Sequence, residues 1–498
     1  MATNKKDINK KKSTRELAVK GIIWSTFERF GQQGIHFAIT IVLARILLPE
    51  HFGLVGMLAF FLALARSILD SGFGQALIQK KDPTNLDFST IFYFNLLIAV
   101  VLYIILFFCA PLIARFFNEP QLIRMTRVLS LNVIFNSIGL IHHTYFVKKL
   151  QFSKLAGVTF FSVIISGTVG IVAAVRGLGV WALVIQSNAF SISKTILLWI
   201  FNKWYPGTKI SMNSLRELFP FGSRLLVAGI IERAFENIYK VVIGKYYSSA
   251  ELGYFSNARR VEQLLTLNIT RTIQRVTFPL FSGFQDNEKR LKEGYKKSIQ
   301  MLAFLNIPVM VILVVFADPL IRLLLTEKWL AAVPMLQLLC LVGTIYPFQA
   351  LNLNIVKVKG RSDLFLRLKI LQKIITVLAI VVAIGFDLGI IGLIYGMMFQ
   401  NVVALVLNSL YSGKMIGYPL KSQLIDIIRY FIMGAIAGLT GYGVLLLVDS
   451  AVLRTVIGLP AFSMAYLVSG KQLRVKAFQY VKSARKTLGT QEKNEAEV

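Results

Sequence analysis

The sequence predicts an all-α protein that crosses a membrane about fourteen times, and three observations carry that expectation. Its 498 residues are 55% hydrophobic and only 16% charged, more apolar surface than a soluble core of that length could bury. Apolar runs long enough to span a hydrocarbon core recur along almost the whole chain. Lys and Arg gather in alternate connections between those runs, which is how the positive-inside bias marks topology.

In order along the chain, residues 1–20 are polar and lysine-rich and read as a cytoplasmic segment, and the apolar stretch after them is too long and too charged for a signal peptide. Spans are expected near 21–47, 52–69, 88–109, 126–146, 155–175 and 179–202, which make a first lobe over 21–202. A cytoplasmic linker over 203–217, with Lys203, Pro206, Gly207, Lys209 and Arg216, leads to a second lobe over 218–412. Its spans are expected near 218–245, 252–280, 299–317, 332–356, 364–384 and 389–412. Two further spans, near 424–447 and 451–468 within a segment over 424–468, precede a charged cytoplasmic tail over 469–498. An even number of crossings puts both termini on one side, together with Lys80 and Lys81, Lys148 and Lys149, the cluster over 289–297 and that over 357–361.

The two sets of six read as copies of each other. Phe52-Gly53-Leu54 parallels Leu252-Gly253-Tyr254, Pro111-Leu112-Ile113 parallels Pro319-Leu320-Ile321, and Gly179 with Leu183 parallels Gly389 with Leu393. Six spans separate the copies, so both have the same orientation in the membrane, as in two-lobed transporters with a cavity between pseudo-symmetric halves.

A formal net charge of +30 would suggest nucleic acid in a soluble protein, but here the basic residues serve topology, and no nucleic-acid partner is expected. The two cysteines, Cys109 and Cys340, show neither metal-ligand nor disulfide spacing. Walker A, HExxH and GxSxG motifs are all missing, so no catalytic residue, metal or cofactor is expected. Exterior connections are short, which leaves no domain on that side for a polymerase or ligase to hold an acceptor.

Ionisable residues inside a span cost about 2.5–3.5 kcal/mol each, so a group of them marks a wet cavity or mutual pairing. In the first span Glu28, Gln32 and His36 share one helical face, with Arg29 beside them; in the seventh, Glu232, Glu236 and Lys240 repeat that spacing. The repeat superposes Gln32 on Glu232 and His36 on Glu236, so both faces are candidates to line one cavity or carry ion coupling. A structural i,i+4 ladder is the other reading of Glu232, Glu236 and Lys240. Arg66, Arg259, Arg260 and Arg271, with Arg29, are candidates to bind a phosphate anion, because guanidinium stays charged and offers forked donors. Arg45, Lys245 and Arg275 fit an interfacial snorkelling role better, and His142 and His143 a packing role.

The segments LARILLPEHFGL at 43–54, DSGFGQALIQKK at 70–81, RVTFPLFSGFQD at 275–286 and TEKWLAAVPMLQLLCLVG at 326–343, taken in order, give the chain a family resemblance. From about residue 17 to 466 it resembles the polysaccharide exporters of the multidrug/oligosaccharidyl-lipid/polysaccharide flippase superfamily, closest to the Wzx-type flippases of the colanic-acid group. The resemblance implies a MATE-like arrangement of two lobes that rock in alternating access in the bacterial inner membrane. The implied cargo is undecaprenyl-diphosphate-linked oligosaccharide, moved from the inner to the outer leaflet for O-antigen, capsule or exopolysaccharide assembly. It further implies coupling to H+ or Na+, with Glu28, Glu232 and Glu236 as carboxylates, and a groove for the lipid tail at the last two spans, separable from a twelve-helix body by truncation near Lys421. A functional monomer is expected, with polysaccharide-assembly proteins as possible partners through the charged tail. A drug antiporter of the same superfamily, a membrane-embedded polymerase or ligase, and a non-transporting scaffold remain the competing readings.

Overall fold

The computed structural model describes residue 31, residues 33–70 and residues 72–477, which are helical with no strand among them. The expectations placed on Glu28, Arg29 and Gln32, and on most of both terminal segments, lie outside the described residues.

The helices are α1 (Gln33–Ile46), α2 (Pro49–Leu69), α3 (Phe73–Gln79), α4 (Asn85–Phe117), α5 (Leu122–Leu129), α6 (Leu131–Lys148), α7 (Phe152–Val175), α8 (Val180–Phe201) and α9 (Met212–Tyr246). Then follow α10 (Ser249–Ser282), α11 (Glu288–Val315), α12 (Ala317–Leu324), α13 (Ala332–Val358), α14 (Ser362–Gly385), α15 (Gly389–Ile416), α16 (Leu420–Leu447) and α17 (Ala451–Gln472). Ten helices among the described residues are long and apolar enough to cross a membrane. The spans expected near 21–47, 126–146, 218–245 and 252–280 fall on α1, α6, α9 and α10, which are helical but not among those ten. In α9 and α10 the reason is charge, since α9 carries Arg, Lys and Glu along its length and α10 carries Arg and Glu.

Large apolar side chains such as Phe108, Leu112, Phe399, Leu439 and Leu447 point outward. A water-facing surface of that kind would be insoluble, whereas acyl chains cover it without penalty. The chain divides into two compact units, residues 1–253 and 254–498.

In the first unit α7 and α8 form an antiparallel hairpin, α6 packs on α8 and α4, and α9 lies along α2. Thr84 and Asp87 cap α4 reciprocally, and Lys80 reaches both Asp87, at 3.1 Å, and Glu217 of α9, at 2.9 Å. Two glycines permit a closer approach. A Cβ on Gly53 of α2 would sit 1.6 Å from the Ser249 carbonyl oxygen, and one on Gly253 would sit 1.9 Å from that of Pro49. The contact is reciprocal: each glycine meets the first residue of the other's helix, Ser249 of α10 and Pro49 of α2. The two parallel motifs read from sequence therefore touch each other.

In the second unit α13 is the most buried of the candidate spans, set between α11 and α15, while α14 packs on α15. α16 and α17 pair with each other, and Gly434 and Gly438 bring α16 against Ile307 and Val311 of α11. Asn352 of α13 and Gln423 of α16 exchange amide hydrogen bonds, Asn352 Nδ2 to Gln423 Oε1 at 3.0 Å and Gln423 Nε2 to Asn352 Oδ1 at 3.1 Å. Ser412 of α15 donates to the same Asn352 oxygen. Below them Asp426 accepts from Lys296, at 2.8 Å, and from the Tyr418 hydroxyl, whose pKa is raised by burial and by that carboxylate, so it stays a donor.

This network changes the expectation that the last two helices are separable from the rest. Without α16, the Asn352 amide keeps the Phe348 carbonyl and the Ser412 hydroxyl but loses both bonds to Gln423, and a buried hydrogen bond contributes about 0.5–1.5 kcal/mol. Gln423→Ala is therefore expected to destabilise the protein by about 2 kcal/mol, read as a lower melting temperature in detergent. Truncation after Lys421 is expected to lower it further; an unchanged melting temperature in both would show that the network does not hold α16.

Candidate functional site: a cationic cluster among apolar helices

α8 carries a single charged residue, Lys194, in an otherwise apolar and neutral helix. The fold brings it within electrostatic reach of the C-terminal end of α2, where Arg66 precedes Asp70 by one turn, and Arg233 of α9 lies within reach of that same pair. Asp70 lies within electrostatic reach of Arg233, Arg66 and Lys194, and His143 of α6 within reach of Lys194. Arg66, Lys194 and Arg233 thus all act on one carboxylate, and all lie in the first unit.

The cluster is not a closed set of ion pairs. Among the described residues neither Arg66 nor Lys194 has a carboxylate within ion-pair distance. Arg233 Nη1 meets Glu236 Oε2 at 2.9 Å, and Lys194 Nζ lies 5.9 Å from the Phe190 ring centre. With Glu236 counted beside Asp70, the group keeps one positive charge in excess. An excess cation inside apolar helices is expensive unless water or an anion reaches it. Arg66, Asp70 and Arg233 are exposed on their helices and Lys194 is half-buried.

Arg259 presents the opposite arrangement. Its Nη1 bonds Glu262 Oε2 at 3.0 Å one turn along α10, and Glu262 is almost fully buried with Thr266 as a second partner. Gly343 of α13 covers the pair, and a Cβ there would lie 2.6 Å from Glu262 Oε1 and 2.7 Å from Thr266 Oγ1. Arg259 is thereby largely neutralised, whereas Arg260 and Arg271, on the same helix, are exposed.

The remaining sequence candidates are spread more widely. His36 is exposed on α1, with Thr40 Oγ1 donating to its carbonyl at 2.8 Å. Glu232 and Glu236 are exposed on α9, and Lys240 Nζ donates to Asn237 Oδ1 at 3.1 Å. Glu236 meets Arg233 and not Lys240, so the ladder read from the spacing is not the pairing formed. Lys194 and Arg233 are not among the sequence candidates; the readable signal for the first is a lone charge in an apolar span, while the second lies beside Glu232 and off the face that Glu232 and Glu236 share. Among the described residues no group of His, Cys, Asp and Glu is arranged to hold a metal ion.

Gly343→Ala is expected to push Glu262 off Arg259 and destabilise the protein by about 1–3 kcal/mol, read as thermal unfolding in detergent. An Ala variant as stable as the parent would mean the seam is looser than described.

A family model described as "Polysaccharide biosynthesis protein" matches residues 42–334. The teichuronic acid biosynthesis protein TuaB of Bacillus subtilis (strain 168) is 28% identical over 443 residues, which cover 84% of this chain and 87% of that one. The lipopolysaccharide biosynthesis protein WzxC of Escherichia coli (strain K12) is 25% identical, over 80% of this chain and 81% of its own. Among solved structures, the lipid II flippase MurJ in an inward closed conformation superposes with a TM-score of 0.73 at 14% identity, over 90% of this chain and 98% of that one. The structural likeness establishes a shared fold.

Proposed function

We propose a transport function from one premise: the chain belongs to the polysaccharide biosynthesis protein family. In this reading it is a flippase, not an enzyme, that moves a lipid-linked oligosaccharide across the membrane. The observation that carries the reading is the cluster of Arg66, Lys194 and Arg233 around Asp70, with its excess positive charge among apolar helices. A diphosphate linking glycan to polyprenol is the anion such a site suits: Arg66 and Arg233 offer forked donors, Lys194 a point charge, and the tail stays in lipid. In the second unit, taken by itself, Arg260 and Arg271 remain candidates for a phosphate contact, and Arg259 a weaker one because Glu262 already holds it.

The finer parts of the proposal follow the same logic. The carrier is undecaprenyl diphosphate, the direction is inner to outer leaflet of the inner membrane, and both termini are cytoplasmic, as the Lys and Arg distribution favours. Alternating access in a monomer is driven by H+ or Na+, with Glu232, Glu236 and Asp70 as the candidate coupling carboxylates. A drug antiporter for cationic compounds is disfavoured because this cluster would repel them.

The test is complementation of a strain lacking the gene. Arg66→Ala or Lys194→Ala is expected to lower surface polysaccharide by about 10- to 100-fold in initial rate, the equivalent of one charge-assisted contact worth about 1.5–3 kcal/mol. Arg66→Lys should recover part of it, since charge returns without the fork. Full export by an Arg66→Glu, Lys194→Glu double variant at parental membrane abundance would refute the phosphate role.

A further inference from the structure

A second polar feature lies in the other unit and shares no residue with the cluster. On α14, Leu364, Leu368 and Leu371 recur at helical spacing on one face; on α15, Leu407, Tyr411 and Lys414 do the same, with Met415 beside them. The two faces enclose an open cleft of about 450 Å³. Its floor is apolar, since Leu364 and Leu368 are buried against Leu353 and Val356 of α13, with Leu407 and Met415 packed on them. Its rim carries Arg361, Arg367, Lys414 and Tyr411, all exposed, with Asp363 as the lone carboxylate.

The rim charge is not balanced. Arg361 is committed to Asp363 through two parallel bonds, Nε to Oδ1 and Nη2 to Oδ2, both 3.0 Å. That leaves Arg367 and Lys414, neither of which has a carboxylate within ion-pair distance among the described residues. Beyond the cleft, α14 turns Leu366, Ile370, Ile374, Val377 and Leu378 outward, an apolar face suited to acyl chains.

We propose that this cleft binds the headgroup of an anionic glycerophospholipid. The phosphodiester accepts from the Arg367 guanidinium, the Lys414 ammonium and the Tyr411 hydroxyl, and the glycerol esters lie over Leu371 and Leu407 with the chains running along α14. A free phosphate would use the rim but leave the leucine wall empty, and a zwitterionic lipid would bring a choline or ethanolamine cation against Arg367 and Lys414. Basic pockets between helices, at the membrane face where Lys and Arg gather, are the sites where anionic headgroups are held. A lipid bound to the folded chain and not to the unfolded one stabilises it in proportion to its concentration.

The test uses the full chain purified in neutral detergent, with phosphatidylglycerol, phosphatidylcholine or inorganic phosphate added. Lipid retention is read by native mass spectrometry and stability by thermal unfolding. Phosphatidylglycerol is expected to be retained and to raise the melting temperature, while phosphatidylcholine and phosphate do neither. In Arg367→Gln, Lys414→Gln the retention should fall about thirty-fold, as two basic residues worth about 1 kcal/mol each predict, with lipid-free melting unchanged. Arg367→Gln alone should fall about five-fold, and it serves if the double variant unfolds. The Arg66→Glu, Lys194→Glu variant should retain phosphatidylglycerol as the parent does, whatever it does to export. Undiminished retention in the α14 and α15 variants, its loss in the Arg66 and Lys194 variant, or equal stabilisation by phosphate or phosphatidylcholine would each overturn the assignment.

Discussion

The cost of placing a charge among apolar helices governs this structure. Lipid offers no hydrogen bonds, so each polar group inside the helices must find a partner in the protein, in water or in a ligand. Each polar contact described above is one of those solutions, and the choice at each place separates what holds the molecule together from what remains open to a ligand.

The second unit favours closed solutions. The Asn352 and Gln423 amides satisfy each other, and the Gln349 carbonyl accepts from Asn408 at 3.2 Å, whose own oxygen accepts from Gln372 at 3.2 Å. Arg259 and Glu262 make a pair that loses the attraction of its charge to anything else, and Gly343 supplies the space that lets it close. Such groups bind helices to one another and leave little to offer a ligand. Around Arg66, Lys194 and Arg233 the solution is open, with more cations than carboxylates. A purely structural site would gain by closing, as the Arg259 and Glu262 pair does.

Much of the scaffold was legible because lipid makes composition speak directly. Long apolar runs mark the helices of both units, whereas the parallel glycine motifs read only as copies and give no sign of the contact that Gly53 and Gly253 make. The apolar runs near 218–245 and 252–280 are helical as α9 and α10, although their charge keeps both from the candidate membrane spans. The site was harder, because spacing on one helix says which residues share a face and nothing of what faces them. Glu236 was matched by spacing to Lys240, while its partner is Arg233. Lys194 gave a readable signal, a lone charge in α8, but its significance depends on Arg66 and Asp70, more than a hundred residues earlier. Likewise Gln423 announces nothing until Asn352 is opposite it.

The segments that carry the family likeness have a further property. LARILLPEHFGL holds Pro49 and Gly53 at the reciprocal close approach. TEKWLAAVPMLQLLCLVG begins at the turn that buries Trp329 and ends on Gly343 over the Glu262 pair. DSGFGQALIQKK runs from Asp70 to the Lys80 clamp on Asp87 and Glu217. Most of these are places where the backbone turns or helices touch, so a likeness built on them is evidence about the scaffold. Lys194, Arg233, Arg367 and Lys414 lie outside all of the quoted segments. Chemistry that distinguishes one cargo or one lipid from another can change at such positions without disturbing the contacts that make the fold. Specificity in this molecule is therefore to be sought in the open charges, while shared motifs report how the helices are held.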